Sequence, residues 1–437
     1  MEMEWYIIAS FFVLVLLLVV GVPIPLVFFG TMLFLVISGG YKPSFLFPYA
    51  YSKIASMTCI TLPLFIIAGG IIEKGGIGEH LVNFVNLFLG RLKGGLGIVT
   101  VVTCAFFGAI SGSSFACATV IGAILIPRLK EAGYDDAVSG ALLASASMLG
   151  SYIPPSGMML VFAWLTNQSV LACFVCTIVP GLFIMVIFSI WIYLQCRDNP
   201  NIVIPEKEPL PRKILTVGKT TWKALPALVF PVIVLGGVYS GIMTPTEAAA
   251  VSVLYAIPVA LFVYRKMNFK ELVKTFIETG TSAGVVVLMI FSVTLISRIY
   301  LTENLPDMIL KAIYRLTENK YIILAIINLF LVFLGLLMDD VSAMMLSCPI
   351  LLPIVVRLGV HPVQFAAIVA INLGMGCVSP PCAPLLFLAA RVGKVSLTRM
   401  MRPNFSIMCL IWLPMIVLVN LWQDLSLWLP RFMGLIR

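Results

Sequence analysis

Charge is scarce in this sequence. Asp, Glu, Lys and Arg make up 11% of its 437 residues, against 61% hydrophobic, where a soluble domain carries roughly 25% charged residues. That shortage excludes a chain that covers itself with water-compatible surface. Histidine is scarcer still. His80 and His361 are the two present, and no H-E-x-x-H occurs, so a zinc intramembrane protease has no ligands. The absence of G-x-x-x-x-G-K-[ST] excludes ATP hydrolysis through a P-loop. The ten cysteines, among them Cys59, Cys104, Cys117 and Cys409, sit mostly in apolar runs. There they act as small hydrophobes, without metal spacing or a disulfide framework. Cys173 and Cys176 form one C-x-x-C inside an apolar helix, with no second pair. Basic residues are missing before the first apolar run, where Glu2 and Glu4 stand and no small-residue cleavage site follows. That run is expected to be a permanent anchor rather than a cleaved signal.

What abounds is apolar length. Runs able to cross a ~30 Å hydrocarbon core recur from end to end, as at Trp5 to Val20, Val22 to Ser38, Tyr321 to Met338 and Phe405 to Leu421. The sequence reads as an all-α polytopic membrane protein, with the lipid bilayer as its solvent.

The chain also repeats itself. Displaced by 226 residues, Ile124-Leu125-x-Pro127 falls on Ile350-Leu351-x-Pro353, Gly150 on Gly376 and Pro154-Pro155 on Pro380-Pro381. Spans near 5–20, 22–39 and 57–73 fall on those near 229–241, 247–264 and 283–300. Two copies result, 1–197 and 226–424, joined by a linker over 198–225 and followed by a tail over 425–437. Each copy holds three spans, a broken pair, an interrupted span and one more. The first broken pair, about 97–130, splits at Ile110-Ser111-Gly112-Ser113-Ser114. The second, about 322–357, splits at Asp339-Asp340. Arms this short around a polar break predict re-entrant hairpins, since irregular backbone at membrane depth needs protein or a water-filled cavity around it. The interrupted spans lie at about 137–165 and 363–390. Hairpins add no net crossing, so each copy crosses five times and the second copy is inverted. Matching interruptions in inverted repeats mark the substrate site of a secondary transporter.

Charge orients the chain. With the N-terminus outside, nineteen of the 28 Lys and Arg residues fall on the cytoplasmic side, as the positive-inside rule requires. Both termini are then expected in the periplasm of a bacterial inner membrane. The net charge of +9 is topology rather than a nucleic-acid footprint.

Two constellations can carry chemistry. The first tip, Ser111-Gly112-Ser113-Ser114, offers hydroxyls, amides and carbonyls beside the break Gly150-Ser151-Tyr152-Ile153-Pro154-Pro155-Ser156. Pro155 cannot donate and two prolines free carbonyls one turn earlier, so oxygen ligands for a sodium ion gather without net charge. Helix N-termini after each break suit a carboxylate. The second tip offers Asp339 and Asp340 beside Gly374-Met375-Gly376-Cys377-Val378-Ser379-Pro380-Pro381-Cys382. Acids at membrane depth are costly and mostly functional; capping the helix that starts near Val341 is the alternative. Thr244-Pro245-Thr246-Glu247 reads as a capping box. Arg298 and Glu303 are placed to pair with each other.

These residues resemble the large membrane subunit (DctM type) of tripartite ATP-independent periplasmic, or TRAP, transporters. The Gly-Ser-Ser tip with Ile121-Gly122 and Pro127, Gly133-Tyr134, Pro154-Pro155-Ser156 and Thr244-Pro245-Thr246-Glu247-Ala248-Ala249-Ala250 carry the resemblance, over essentially the whole chain. It implies an elevator-type carrier in which hairpins and interrupted helices form a mobile transport domain. It implies sodium bound by Ser113, Ser114, Gly150, Ile153 and Pro154 at one tip and by Asp339, Gly376, Ser379 and Pro380 at the other. A small carboxylate would lie between them, touched by Ser111, Ser156, Asp340 and Cys382, although Cys382 replaces the hydroxyl of Ser156. It implies no cofactor besides the coupling ions. The partners it implies are a small four-helix membrane subunit (DctQ type) and a soluble periplasmic binding protein (DctP type). A proton-coupled or partner-independent carrier of a related two-hairpin family is the alternative. A channel or membrane enzyme ranks third, because neither needs two opposed, equivalent breaks.

Overall fold

A computed structural model describes residues 5–197, 199–200, 202, 210–380 and 382–436. Glu2, Glu4, linker residues 203–209, Pro381 and Arg437 lie outside the described residues. The first copy comprises α1 (Trp5–Val19), α2 (Ile24–Ser38), α3 (Pro43–Ile54), α4 (Met57–Lys74), α5 (Ile77–Leu89), α6 (Gly95–Ser111), α7 (Ser114–Glu131), α8 (Asp136–Ser147), α9 (Leu149–Tyr152), α10 (Gly157–Thr166), α11 (Val170–Val175) and α12 (Ile178–Cys196). The second comprises α13 (Leu210–Pro231), α14 (Gly237–Tyr239), α15 (Pro245–Pro258), α16 (Phe269–Thr302), α17 (Leu305–Tyr314), α18 (Lys320–Leu337), α19 (Asp340–Arg357), α20 (Pro362–Val378), α21 (Pro384–Gly393), α22 (Leu397–Ile407), α23 (Leu413–Leu421) and α24 (Asp424–Phe432). Among the described residues there is no strand. Also among the described residues, seven helices are long and apolar enough to cross a membrane, or up to nine if each bent pair is one span.

The repeat is visible in the helix boundaries. Helix α7 displaced by 226 residues lands on α19 end for end, α8 with α9 lands on α20, and α5 lands on α17. One difference between the copies lies in the frame. In the first, α3 and α4 meet at a 53° bend, where Ser56 leaves the helix and its hydroxyl caps α4 by accepting the Cys59 amide. At the matching place in the second copy, Thr281 and Ser282 donate back to the carbonyls of Ile277 and Glu278 at 2.8 and 3.1 Å. Helix α16 therefore runs unbroken for 34 residues, longer than the span read near 283–300.

Local chemistry sets most boundaries. The Thr244 hydroxyl accepts the Glu247 amide while the Glu247 carboxylate accepts the Thr244 amide, closing the capping box on α15. His361 caps α20, its Nδ1 accepting the Val363 amide at 3.1 Å. Pro231 and Pro258 each precede a five-residue π-helical stretch, the widened turn that follows when a proline deletes a ladder donor.

Three readings of the sequence are corrected. Helix α13 begins at Leu210, inside the stretch read as linker. The tail over 425–437 contains α24, held down because Leu425 and Leu427 bury an apolar edge against α12 and α20. Arg298 and Glu303 take separate partners: Tyr41 donates its hydroxyl to Glu303, and the Arg298 guanidinium lies over the Tyr49 ring, 4.9 Å from its centroid.

Packing divides the molecule. Helices α2, α3, α4, α15 and α16 pack on one another as a frame. The hairpins α6–α7 and α18–α19 interlock with the interrupted helices by exchange: α10 of the first copy packs on α19, and α21 of the second on α7. The largest apolar core runs through this interlocked half and on into α2, α4, α15 and α16 of the frame.

Candidate functional site

The two hairpin tips meet. Ser114 opens α7 and Asp340 opens α19, and they occupy equivalent positions 226 residues apart. The Ser114 hydroxyl donates to Asp340 Oδ2 at 3.4 Å, so the two tips are in direct contact. Ser151, in the first interrupted helix, donates to the same oxygen at 2.9 Å. Asp340 Oδ1 accepts the Val341 amide at 3.0 Å. One carboxylate, 3% exposed, thus ties both tips to one break.

Its neighbour does different work. Asp339 caps α19, accepting the Ser342 amide at 3.1 Å and the Ser342 hydroxyl on its other oxygen. In the first tip Ser113 caps α7 in the same way, accepting the Ala116 amide. Capping by a short oxygen side chain satisfies amides that a helix start leaves without partners. Gly112 has a φ of +64°, and a Cβ there would lie 2.5 Å from the Pro155 carbonyl oxygen, so the tip requires glycine both for its turn and for its close approach to the break.

A cavity of about 820 Å3 opens beside the tips, within the range of small-molecule sites. Ser111, Ser113, Ser114, Asp339 and Asp340 line it, with Ser151 and Pro155 from the break. Four helix N-termini, those of α2, α7, α10 and α19, reach its wall, and each carries roughly half a positive charge. The frame closes the far side with Gly69, Glu73, Thr279 and Ser282. No Lys, Arg or His lines it among the described residues.

The remaining residues singled out in the sequence sit behind this surface. A Cβ on Gly150 would lie 2.9 Å from the Ser113 carbonyl oxygen, so the break is pressed against the tip. Ile153 closes α9, its amide donating to the Leu149 carbonyl at 3.0 Å. Pro154 precedes Pro155 through a cis peptide bond. Ser156 does not line the cavity: its hydroxyl donates to the Ser151 carbonyl at 2.6 Å and accepts the Met159 amide, capping α10. In the second copy Gly376 packs on Gly335, and the Ser379 hydroxyl donates to the Met375 carbonyl at 2.6 Å. Gly376, Ser379, Pro380 and Cys382 are not brought to the cavity, and Cys382 is exposed.

Ser151 and Glu73 are lining residues that sequence reasoning passed over. Ser151 stood inside the quoted break, and its match in the second copy is Cys377, so repetition did not single it out. Glu73 had a signal: it is an acid at the end of an apolar helix, Met57–Lys74, and such acids tend to face an interior or a water-filled space.

Comparison with known proteins agrees with this architecture. The family model for the DctM component of tripartite ATP-independent periplasmic transporters matches residues 10–423. The chain is 37% identical over 390 residues to the isethionate TRAP transporter permease protein DctMQ of Oleidesulfovibrio alaskensis, covering 88% of this chain and 60% of that protein. It is 32% identical to the C4-dicarboxylate TRAP transporter large permease protein DctM of Pseudomonas aeruginosa, covering 86% and 87% of the two chains. It is 29% identical to the sialic acid large permease SiaM of Vibrio cholerae, covering 96% and 97%. Among solved structures, the YdaH transporter of Alcanivorax borkumensis superposes with a TM-score of 0.64 at 14% identity, covering 87% of this chain and 88% of that one. MtrF of Neisseria gonorrhoeae superposes with a TM-score of 0.59 at 16% identity, covering 89% and 85%. At those identities the likeness concerns the fold.

Proposed function

Because the chain belongs to the DctM family of TRAP transporters, the large membrane permeases, we propose that it imports a small organic acid across a bacterial inner membrane, driven by sodium. The hairpins and interrupted helices are the moving part, and α2, α3, α4, α15 and α16 are the frame they slide against. A small four-helix membrane subunit and a soluble periplasmic binding protein complete the transporter. C4-dicarboxylates, sialic acid and isethionate, the cargoes in the names of its relatives, are the first acids to test.

One observation carries the reading: two inverted hairpins touch tip to tip through Ser114 and Asp340 beside one cavity. That arrangement supports a single central site served from both sides. The cavity wall supports cation coupling as well. An organic anion entering it meets Asp339, Asp340 and Glu73 with no basic side chain among the described lining residues, so helix N-termini and bound cations have to balance its charge. The buried Asp340 carboxylate supports a second reading, in which a proton serves as the coupling cation.

The experiment is uptake into proteoliposomes that carry the complete transporter, with labelled succinate, isethionate and N-acetylneuraminate offered in turn. Sodium-driven reading requires accumulation under an inward sodium gradient at symmetric pH. Accumulation under a proton gradient with sodium absent would replace it with the second reading.

A further inference from the structure

The inverted repeat allows the opposite end state to be written down from this one. Apart from the bend between α3 and α4, the two copies share one order of helices, so moving the hairpins to the opposite end of the frame is an equivalent rearrangement around the same central site. The frame positions that the hairpins face are then replaced by their matches, 226 positions away. Applied to the frame side of the cavity, the exchange alters its charge. Glu73 is replaced by Ile299, Thr279 by Lys53 and Ser282 by Ser56; Gly69 and Gly70 give way to Leu295 and Ile296. One end state presents an acid to the cargo and the other a base.

Neither side chain is in an ion pair among the described residues. Lys74, next to Glu73, is held by Glu278, and Glu73 has no ion pair among the described residues. Among the described residues Lys53 donates to the neutral side-chain oxygen of Asn167, at 3.4 Å, and to no carboxylate. The two also stand at opposite ends of the frame. Glu73 shares its end with Lys74 and with Lys266, which faces Glu79; that end is cytoplasmic by the bias of basic residues. Lys53 closes α3 at the other end.

We infer that Glu73 and Lys53 are specificity-determining residues that make the carrier hold an organic anion more tightly when the site faces outward than when it faces the cytoplasm. This rests on the sliding-carrier reading above. Lys53 draws the anion into the outward-facing cavity, and Glu73 repels it from the inward-facing one. A full charge several ångströms from the cargo in a partly desolvated cavity is worth about a tenfold change in affinity.

The test uses proteoliposomes carrying the complete transporter with labelled succinate and isethionate. Two concentrations are measured: the internal acid that halves sodium-driven uptake, and the external acid that half-saturates it. Their ratio should exceed one in the parent and fall about tenfold in Glu73→Gln and again in Lys53→Gln. Glu73→Asp, which keeps the charge, should hold the parent ratio. The exchange Glu73→Lys with Lys53→Glu should invert it. Sodium-driven uptake that persists with the same ratio in both glutamine variants would overturn this inference and leave the proposed function standing. A parent protein that takes up neither acid with sodium would overturn both.

Discussion

The contact between the second hairpin and its interrupted helix admits no side chain at Gly335, and its replacement by alanine tests the packing directly. A Cβ there would lie 2.6 Å from the Leu373 carbonyl oxygen and 3.1 Å from the Gly376 Cα. Both are backbone atoms and cannot rotate aside. Ordinary contact begins near 3.4 Å, so α18 and α20 have to part by roughly 0.8 Å along a close helix pair. Overpacking of this kind costs about 3 kcal/mol at the upper end of its range. Better helix propensity returns about 1 kcal/mol, leaving a net loss of about 2 kcal/mol. Gly284→Ala on α16 is the control. Nothing lies within 4 Å of a Cβ there, so propensity acts alone and the variant gains up to about 1 kcal/mol. The two variants should therefore shift the melting temperature in opposite directions. At ~2 °C per kcal/mol, the small end for large chains, they should differ by roughly 6 °C in detergent. Equal shifts, or a stabilised Gly335→Ala, would refute the reasoning.

Three further outcomes follow from particular bonds. Asp340→Asn turns one acceptor oxygen into a donor facing the Ser114 and Ser151 hydroxyls, and should abolish coupled uptake while the protein still folds; uptake at the parent rate would remove Asp340 from the site. Thr244→Ala deletes the side-chain cap on α15 and should cost about 1 kcal/mol, read as a lowered melting temperature, with no loss of response to sodium. Burial, and then the Arg431 charge, hold the His361 imidazole below its usual pKa. Its neutral form is favoured in the folded state, so it contributes no loss above pH ~6.5 and destabilises as pH falls below that, when Nδ1 can no longer accept the Val363 amide. His361→Asn keeps an acceptor for the cap, and should lose less stability than the parent between pH 7.5 and 5.5.

Much of this architecture was legible because the sequence carries it twice. One displacement of 226 residues predicted both hairpins and both interruptions, and the polar residues at the tips located their turns. What was not legible depends on contacts between distant segments. Ser56 and Ser282 are the same residue at matching positions, yet one caps a helix and the other bonds back into it, so sequence could not tell a bent pair from one long α16. The division of labour between Asp339 and Asp340 also needed coordinates. Either could cap α19, and the presence of Ser114 and Ser151 beside Asp340 decides which one does not. Ser156 looked free to meet a substrate, but its hydroxyl fills the hydrogen-bonding gap that Pro154 and Pro155 leave in the break. Glu73 belongs to the cavity because α4 packs against α6, a pairing that no local pattern announces.

The most direct test of the central claim, that sodium binds at the hairpin tips, is thermal stability in sodium chloride against potassium and choline chloride at equal ionic strength. A ligand bound only by the folded state adds about 2.7 kcal/mol at a hundredfold excess over its dissociation constant. Sodium bound at the tips should give a rise specific to sodium, diminished in Ser113→Ala and in Asp339→Asn. Identical melting in all three salts at saturating concentration would contradict it.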